Sequence, residues 1–283
     1  MWPRARELLG AAAAAPGPAF TLTEVNAMAQ QQGAREIMIC AHRGLTTRAP
    51  DNSLPAIAAA INAGFPAVEI DVRDTSDGVL VLMHDPTVNR TSDGRGAVEH
   101  VTFQQIRQLH LLWEGRPIGP VPTLEEVMDL AAGRTLLYID MKTDRVELVV
   151  GALRSRTAYD WTILLGSPEQ LLRVHELEPR CRLHSIVNSR KELDELLRRV
   201  TPAMVEVSNL PDRAYVEYVH SKGLMLEIDT MGQPDRQAVQ FKRFELWRRY
   251  LGCGADFMMS DYPEALRDFM ESEMGFAVKR KLF

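Results

Sequence analysis

Apolar residues along the chain gather into short continuous runs, separated by stretches where they recur every three or four positions. Continuous runs at 37–41, 67–72, 136–141, 162–165, 182–187, 204–207, 224–228 and 257–259 predict buried strands. Helical spacing predicts helices over 53–63, 124–132, 147–156, 169–177, 190–200, 213–222 and 237–251. Asn52 is expected to cap the first of these and Gly64 to stop it. Strands that are apolar throughout, not alternately, suit a parallel sheet covered by helices on its outer side. Eight strand-helix beats in this length favour closure into a barrel over an open sheet.

One interval breaks the rhythm. The run 79–83, entered through the Asp77-Gly78 turn, predicts an extra strand that folds back as a hairpin partner. From Asp85 to Pro122 the chain is rich in Gly, Ser, Asp and Pro, with one short helical pattern over 103–109. The expected architecture is therefore α/β: a TIM (β/α)8 barrel with a small insertion after the second strand. Residues 1–36 are expected as a leader and 37–283 as the barrel, with the insertion at about 72–122.

Composition changes this picture little. A length of 283 residues divided by roughly 150 per domain leaves one domain or two open. The net charge of -5 argues against a dedicated nucleic-acid or anionic-membrane binder, since neither is drawn to a negative average field. Cys40, Cys181 and Cys253 are widely spaced and predict reduced, packed thiols in a cytoplasmic protein. The alternative is export, if the Ala-rich start (Ala11 to Ala15, followed by Pro16) acts as a signal; Glu7 within it weakens that reading. No run reaches the ~18 apolar residues that a spanning helix needs. The basic pairs Lys242-Arg243 and Arg248-Arg249, and Lys279-Arg280-Lys281, are expected to be solvated, and Phe244, Trp247 and Tyr250 to be core.

In a barrel of this kind the chemistry lies where strands end. His42-Arg43-Gly44 follows the first strand, Glu69 and Asp71 end the second, His84-Asp85 follows the hairpin strand, and Asp140 and Lys142 end the third barrel strand. Carboxylate oxygens at Glu69, Asp71 and Asp140 suit one hard divalent cation, Mg²⁺ or Ca²⁺, better than zinc. His42 and His84 could divide the roles of base and acid, while Arg43 and Lys142 could hold a phosphate. Asp85 could orient His84 or Arg43, or merely shape a turn. Asp140 could instead pair with Lys142, and Asp229 could touch substrate or cap a loop. His100, His110, His175, His184 and His220 are expected to be hydrogen-bonded scaffold.

These residues, taken in order, resemble the glycerophosphodiester phosphodiesterase family. The resemblance rests on His42-Arg43-Gly44, Pro50-Asp51-Asn52-Ser53, Glu69-Ile70-Asp71, Thr75-Ser76-Asp77-Gly78 and His84-Asp85. It continues through Arg90-Thr91, Val121-Pro122-Thr123-Leu124-Glu125-Glu126, Lys142 and Ser260-Asp261-Tyr262-Pro263. It implies a TIM barrel that hydrolyses a small-molecule phosphodiester to an alcohol and a phosphomonoester with a divalent cation. By position, His42 and His84 would be catalytic, Glu69, Asp71 and Asp140 would ligate the metal, and Arg43 and Lys142 would bind the phosphate. The chain departs from the family in carrying Asp140 where Glu is common, Gly166-Ser167 where Ser-Phe is usual, and Asp229-Thr230 where many members have Trp-Thr. Lysophospholipase D-like action, a sugar-phosphodiester synthase or hydrolase, and a non-catalytic phosphate-binding barrel are the rival readings.

Overall fold

The computed structural model describes residues 37–274. The leader and the Lys279-Arg280-Lys281 tail lie outside the described residues. Eight parallel strands close on themselves in the order β1 (Met38–Ala41), β2 (Ala67–Asp74), β6 (Leu136–Met141), β7 (Thr162–Leu165), β8 (Leu183–Ile186), β9 (Met204–Val207), β10 (Met225–Asp229) and β11 (Phe257–Ser260). Closure is made by β1, which pairs with β11 through Met38↔Phe257 and with β2 through Cys40↔Ala67. Helices α1 (Leu54–Asn62), α3 (Leu124–Ala131), α4 (Val146–Arg156), α5 (Pro168–Leu177), α6 (Arg190–Leu197), α7 (Arg213–Ser221), α8 (Gln233–Phe241), α9 (Glu245–Cys253) and α10 (Pro263–Glu273) follow the barrel strands.

The uninterrupted apolar runs have a simple cause. Alternate residues of each strand face opposite sides, and both sides are buried. Ile39, Ala41, Val68, Ile70, Leu137 and Ile139 join the core between strands and helices. Met38, Cys40, Leu136, Tyr138, Ile163, Met204, Met225, Phe257 and Met259 fill the barrel interior. No disulfide joins the three cysteines.

Between β2 and α3 the chain leaves the barrel. Strand β3 (Leu80–Leu82) returns antiparallel on β2, with Val72 opposite Leu82. Beyond it come α2 (Phe103–Ile106) and a hairpin of β4 (His110–Trp113) and β5 (Arg116–Pro120) that the hydrophobic pattern did not predict. Val81, Met83, Val88, Val98, Ile106, Leu111 and Val121 give this region its own small core.

Two local expectations are corrected. Ser53, not Asn52, caps α1: its hydroxyl accepts from the Ala56 amide at 3.2 Å. Asn52 takes a left-handed backbone instead and spends its amide on Asp71. The single helix expected over 237–251 is two helices, α8 and α9, divided where Lys242 adopts φ 54°. Trp247 stays in the core as expected, against Phe244 and Phe269. Lys242, Arg243, Arg248 and Arg249 are exposed.

Candidate active site

The first strand delivers its chemistry through a strained turn. Arg43 has φ 55° and Gly44 φ 86°; a Cβ at Gly44 would lie 2.6 Å from the Ala56 backbone carbonyl carbon, so α1 can close over the turn only because that residue is glycine. The turn aims the Arg43 backbone N–H at Glu69 Oε2, 2.9 Å away, and brings Arg43 Nε to 3.0 Å from Asp71 Oδ2. Left-handed non-glycine residues at 43 and 52 are the kind of strain that surrounding structure holds in place at functional sites.

Glu69, Asp71 and Asp140 converge, with one donor atom from each lying within 4.8 Å of the others. Asp71, only 1 % exposed, is gripped by Asn52, whose amide donates at 2.8 Å and whose carbonyl oxygen accepts the Asp71 N–H at 3.0 Å. Lys142 Nζ reaches Asp140 at 2.5 Å and Asp71 at 3.6 Å. Burial, then Asp71 and Asp140, push the Glu69 carboxyl well above its usual range, against the pull of Arg43. Burial also raises Asp140, although Lys142 opposes it. For Lys142 burial acts downward, but Asp140 and Asp71 outweigh it and the net shift is upward. Three carboxylates face two cationic side chains here, and every donor is an oxygen. The cluster therefore fits one further hard cation.

Both predicted histidines are held the same way. His42 Nδ1 lies 2.7 Å from Asp261 Oδ1, leaving Nε2 on the Glu69 side at 3.9 Å. His84 Nδ1 lies 2.7 Å from Asp85 Oδ1. An ionised carboxylate only accepts, so each Nδ1 carries a proton and each Nε2 is the nitrogen left to take or give one. The His42 hydrogen bond lowers the Asp261 carboxyl despite its burial. Arg90 holds Asp85 through Nε at 2.8 Å, and that hydrogen bond brings the Asp85 carboxyl down to about 2. Arg90 also reaches Asp51 at 3.1 Å, and Asp51 lies 3.3 Å from Arg43, so an ionic chain ties His84 back to the first turn. Asp85 thus meets His84 and Arg90, not Arg43.

All seven predicted residues gather at the strand-end mouth. The sequence assigned no site role to Asp261, Asp51, Arg73 or Arg90, and to Asn52 only that of a helix cap. Arg73 donates to the His84 backbone carbonyl at 2.8 Å and to the Lys142 carbonyl at 3.2 Å, pinning two site residues at once. It shares strand parity with Glu69 and Asp71, and Asp261 follows β11 directly; those were the available signals. A groove of about 410 Å³ opens beside Asp140 and Lys142, with Met141, Leu165, Gly166 and Ile186 along it. Asp229 is half-buried, its Oδ1 lacks a hydrogen-bond partner, and desolvation, then Glu206 and Asp235, push its carboxyl well up.

A model of the glycerophosphoryl diester phosphodiesterase family matches residues 42–265. The chain belongs to this family. A glycerophosphodiester phosphodiesterase from Bacillus altitudinis is 33% identical over 241 residues, covering 80% of this chain and 95% of that protein. Glycerophosphodiester phosphodiesterase 1 from Homo sapiens is 43% identical over 112 residues, which is 38% of this chain and 34% of the human protein. The match thus spans about a third of the human relative's length. Among solved structures, a glycerophosphoryl diester phosphodiesterase from Parabacteroides distasonis superposes with a TM-score of 0.79 at 25% identity, covering 90% of this chain and 93% of that one. An Oleispira antarctica phosphodiesterase in complex with the product sn-glycerol-3-phosphate shares the fold at a TM-score of 0.69 and 22% identity, covering 83% of this chain and 97% of that one.

Proposed function

We propose that the chain is a metal-dependent phosphodiesterase that hydrolyses glycerophosphodiesters to an alcohol and glycerol phosphate. The observation that carries this reading is the mouth itself: two imidazoles, each fixed by a carboxylate at Nδ1, beside a three-carboxylate cluster with Arg43 and Lys142. Glu69, Asp71 and Asp140 would hold one Mg²⁺ or Ca²⁺. Such a cation, when bound, neutralises charge that develops on the phosphoryl oxygens.

The chain's own residues account for the rest. One imidazole takes the proton from the attacking hydroxyl as its oxygen bonds to phosphorus. The other, protonated, donates to the leaving alcohol oxygen as that P–O bond breaks, so the proton count closes over the cycle. Asp261 and Asp85 keep the two rings in the tautomer and direction this needs. Arg43 offers a planar fork to the phosphate, and Lys142 a point charge that leaves Asp140 to do so. Asp140 is one methylene shorter than the glutamate common in the family at this position, so it would reach the cation through water or with the cation shifted toward it. The attacking hydroxyl is either water or the neighbouring glycerol hydroxyl, the latter giving a cyclic phosphate first.

The groove beside Asp140 favours a second reading. Its lining includes Met141, Leu165 and Ile186, the last 45% exposed, so it offers an apolar surface next to the phosphate position. A lysolipid chain would fit that surface as part of the same phosphodiester class. A cytoplasmic setting agrees with three cysteines and no disulfide, and no described helix is long and apolar enough to cross a membrane.

The test is a substrate panel of glycerophosphocholine, glycerophosphoethanolamine and long-chain lysophosphatidylcholine, assayed with Mg²⁺, Ca²⁺ or EDTA. Release of glycerol phosphate that depends on a cation supports the first reading. Faster turnover of the lysolipid moves the assignment to the second. Intact esters under every condition would leave a binding barrel.

A further inference from the structure

Beneath the mouth, three ionisable side chains face one another inside the barrel. His184 on β8, Glu206 on β9 and Glu227 on β10 come from neighbouring strands, with Glu206 directly opposite Glu227 in register. One donor atom from each lies within 4.8 Å of the others. His184 and Glu227 are both 0% exposed, and His184 Nε2 stands 3.3 Å from Glu227 Oε2. Yet neither nitrogen of His184 and neither carboxylate oxygen of Glu227 has a hydrogen-bond partner. The expectation that His184 is a hydrogen-bonded scaffold histidine is therefore corrected.

Four buried polar atoms without partners are expensive, since each has given up water and gained no hydrogen bond in return. Nearby side chains offer little: the Tyr138 hydroxyl, buried and itself without a hydrogen-bond partner, pulls the Glu227 carboxyl down but does not outweigh its burial. Tyr138 presents its ring to His184 at 5.0 Å between centroids, while Met204, Met225 and Phe257 line the same interior. Of the charged groups, Asp229 and Glu69 also act on Glu227, and both add negative charge. Arg43 and Lys142 are already engaged at the mouth by Asp71 and Asp140.

We infer that His184, Glu206 and Glu227 form a second, internal metal site, distinct from the cluster at Glu69, Asp71 and Asp140. One imidazole and two carboxylates favour a divalent transition ion such as Zn²⁺ or Mn²⁺ over Mg²⁺, which keeps most of its water. Three donors around one ion at about 2.1 Å stand roughly 3.4 Å apart, so donor atoms now within 4.8 Å of one another complete the triad by closing in by about 1 Å. The ion cancels the two glutamates' charge, satisfies an imidazole lone pair and staples β8, β9 and β10 under the mouth. Because the site is enclosed, the ion enters during folding and stays.

The experiment uses the full chain with the mouth disabled by Glu69→Gln, Asp71→Asn and Asp140→Asn. The protein is unfolded with EDTA, refolded in ZnCl2, MnCl2 or MgCl2, desalted, challenged with EDTA while folded, and measured by mass spectrometry of its metal content. The inference expects about one equivalent of zinc or manganese to survive the chelator, none of magnesium, and a higher Tm than the metal-free protein. Adding His184→Gln and Glu227→Gln should abolish both. Retained metal that ignores those two changes, or no metal and no Tm shift in the mouth-disabled chain, overturns the site. Should the inner substitutions prevent folding, cobalt in the mouth-disabled chain decides. A paramagnetically shifted imidazole N–H resonance supports the site, and its absence refutes it.

Discussion

Two clusters of carboxylates share this barrel, and they are built on opposite principles. At the mouth, Asp71 is held by Asn52, Arg43 and Lys142, and the histidines by Asp261 and Asp85. Below it, His184 and Glu227 touch one another and otherwise meet hydrocarbon, further acid and the unpaired Tyr138 hydroxyl. The mouth is a site whose ordered partners fix each side chain while leaving room for an outside group. The interior has donors with nothing to donate to or accept from. The contrast shows that charge density alone does not mark a working site; what the neighbours already satisfy does.

The comparison breaks most sharply at Asp71. Asp71→Asn keeps the shape but removes a ligand charge and leaves Asn52 facing an amide, so turnover should fall by roughly 10²–10³ with the circular dichroism spectrum unchanged. Arg73→Lys tests whether the mouth depends on its backbone anchors. Losing the fork between the His84 and Lys142 carbonyls should lower kcat by about 10–100-fold through misplacement, with a smaller change in KM. Glu227→Met probes the other region. In metal-free protein it removes an unsatisfied buried carboxyl and should be neutral or stabilising by about 1–3 kcal/mol in denaturant unfolding, where a mouth substitution destabilises. A clear loss would mean that the interior is better satisfied than its contacts indicate.

The smallest effect concerns pH. The Asp85 carboxyl is brought from 3.8 to about 2 in the folded protein, chiefly by Arg90. A depressed carboxyl stabilises the fold fully above its unfolded value and loses that contribution as pH falls through the folded one. The Tm difference between wild type and Asp85→Asn should therefore hold steady above pH 3.8 and shrink toward pH 2. A difference that stays constant across this window would place the Asp85 contribution outside the ion pair with Arg90.

The eight-strand barrel was legible because parallel strands buried on both faces leave uninterrupted apolar runs, as at Leu136–Met141. That the seven candidate residues would converge was legible because strand ends point at one mouth. The β4–β5 hairpin was not, since its half-exposed strands carry Pro and Arg and lack alternation; only the Glu114-Gly115 turn, both residues at positive φ, announces it. The break between α8 and α9 left no Gly or Pro, because Lys242 itself takes the left-handed conformation. Asp261 lies 219 residues from His42, a pairing that no local pattern carries. Nor does strand parity reveal that His184 and Glu227 meet without other partners, which depends on three strands closing side by side.

The central claim is that two carboxylate-held histidines at the mouth cleave a phosphodiester. Its most direct test is the initial rate of glycerol phosphate release from glycerophosphocholine by wild type, His42→Ala and His84→Ala, each with saturating divalent cation and each checked for unchanged Tm. The account predicts a loss of roughly 10²–10⁴ in both variants. Either variant retaining more than a few per cent of wild-type turnover contradicts it.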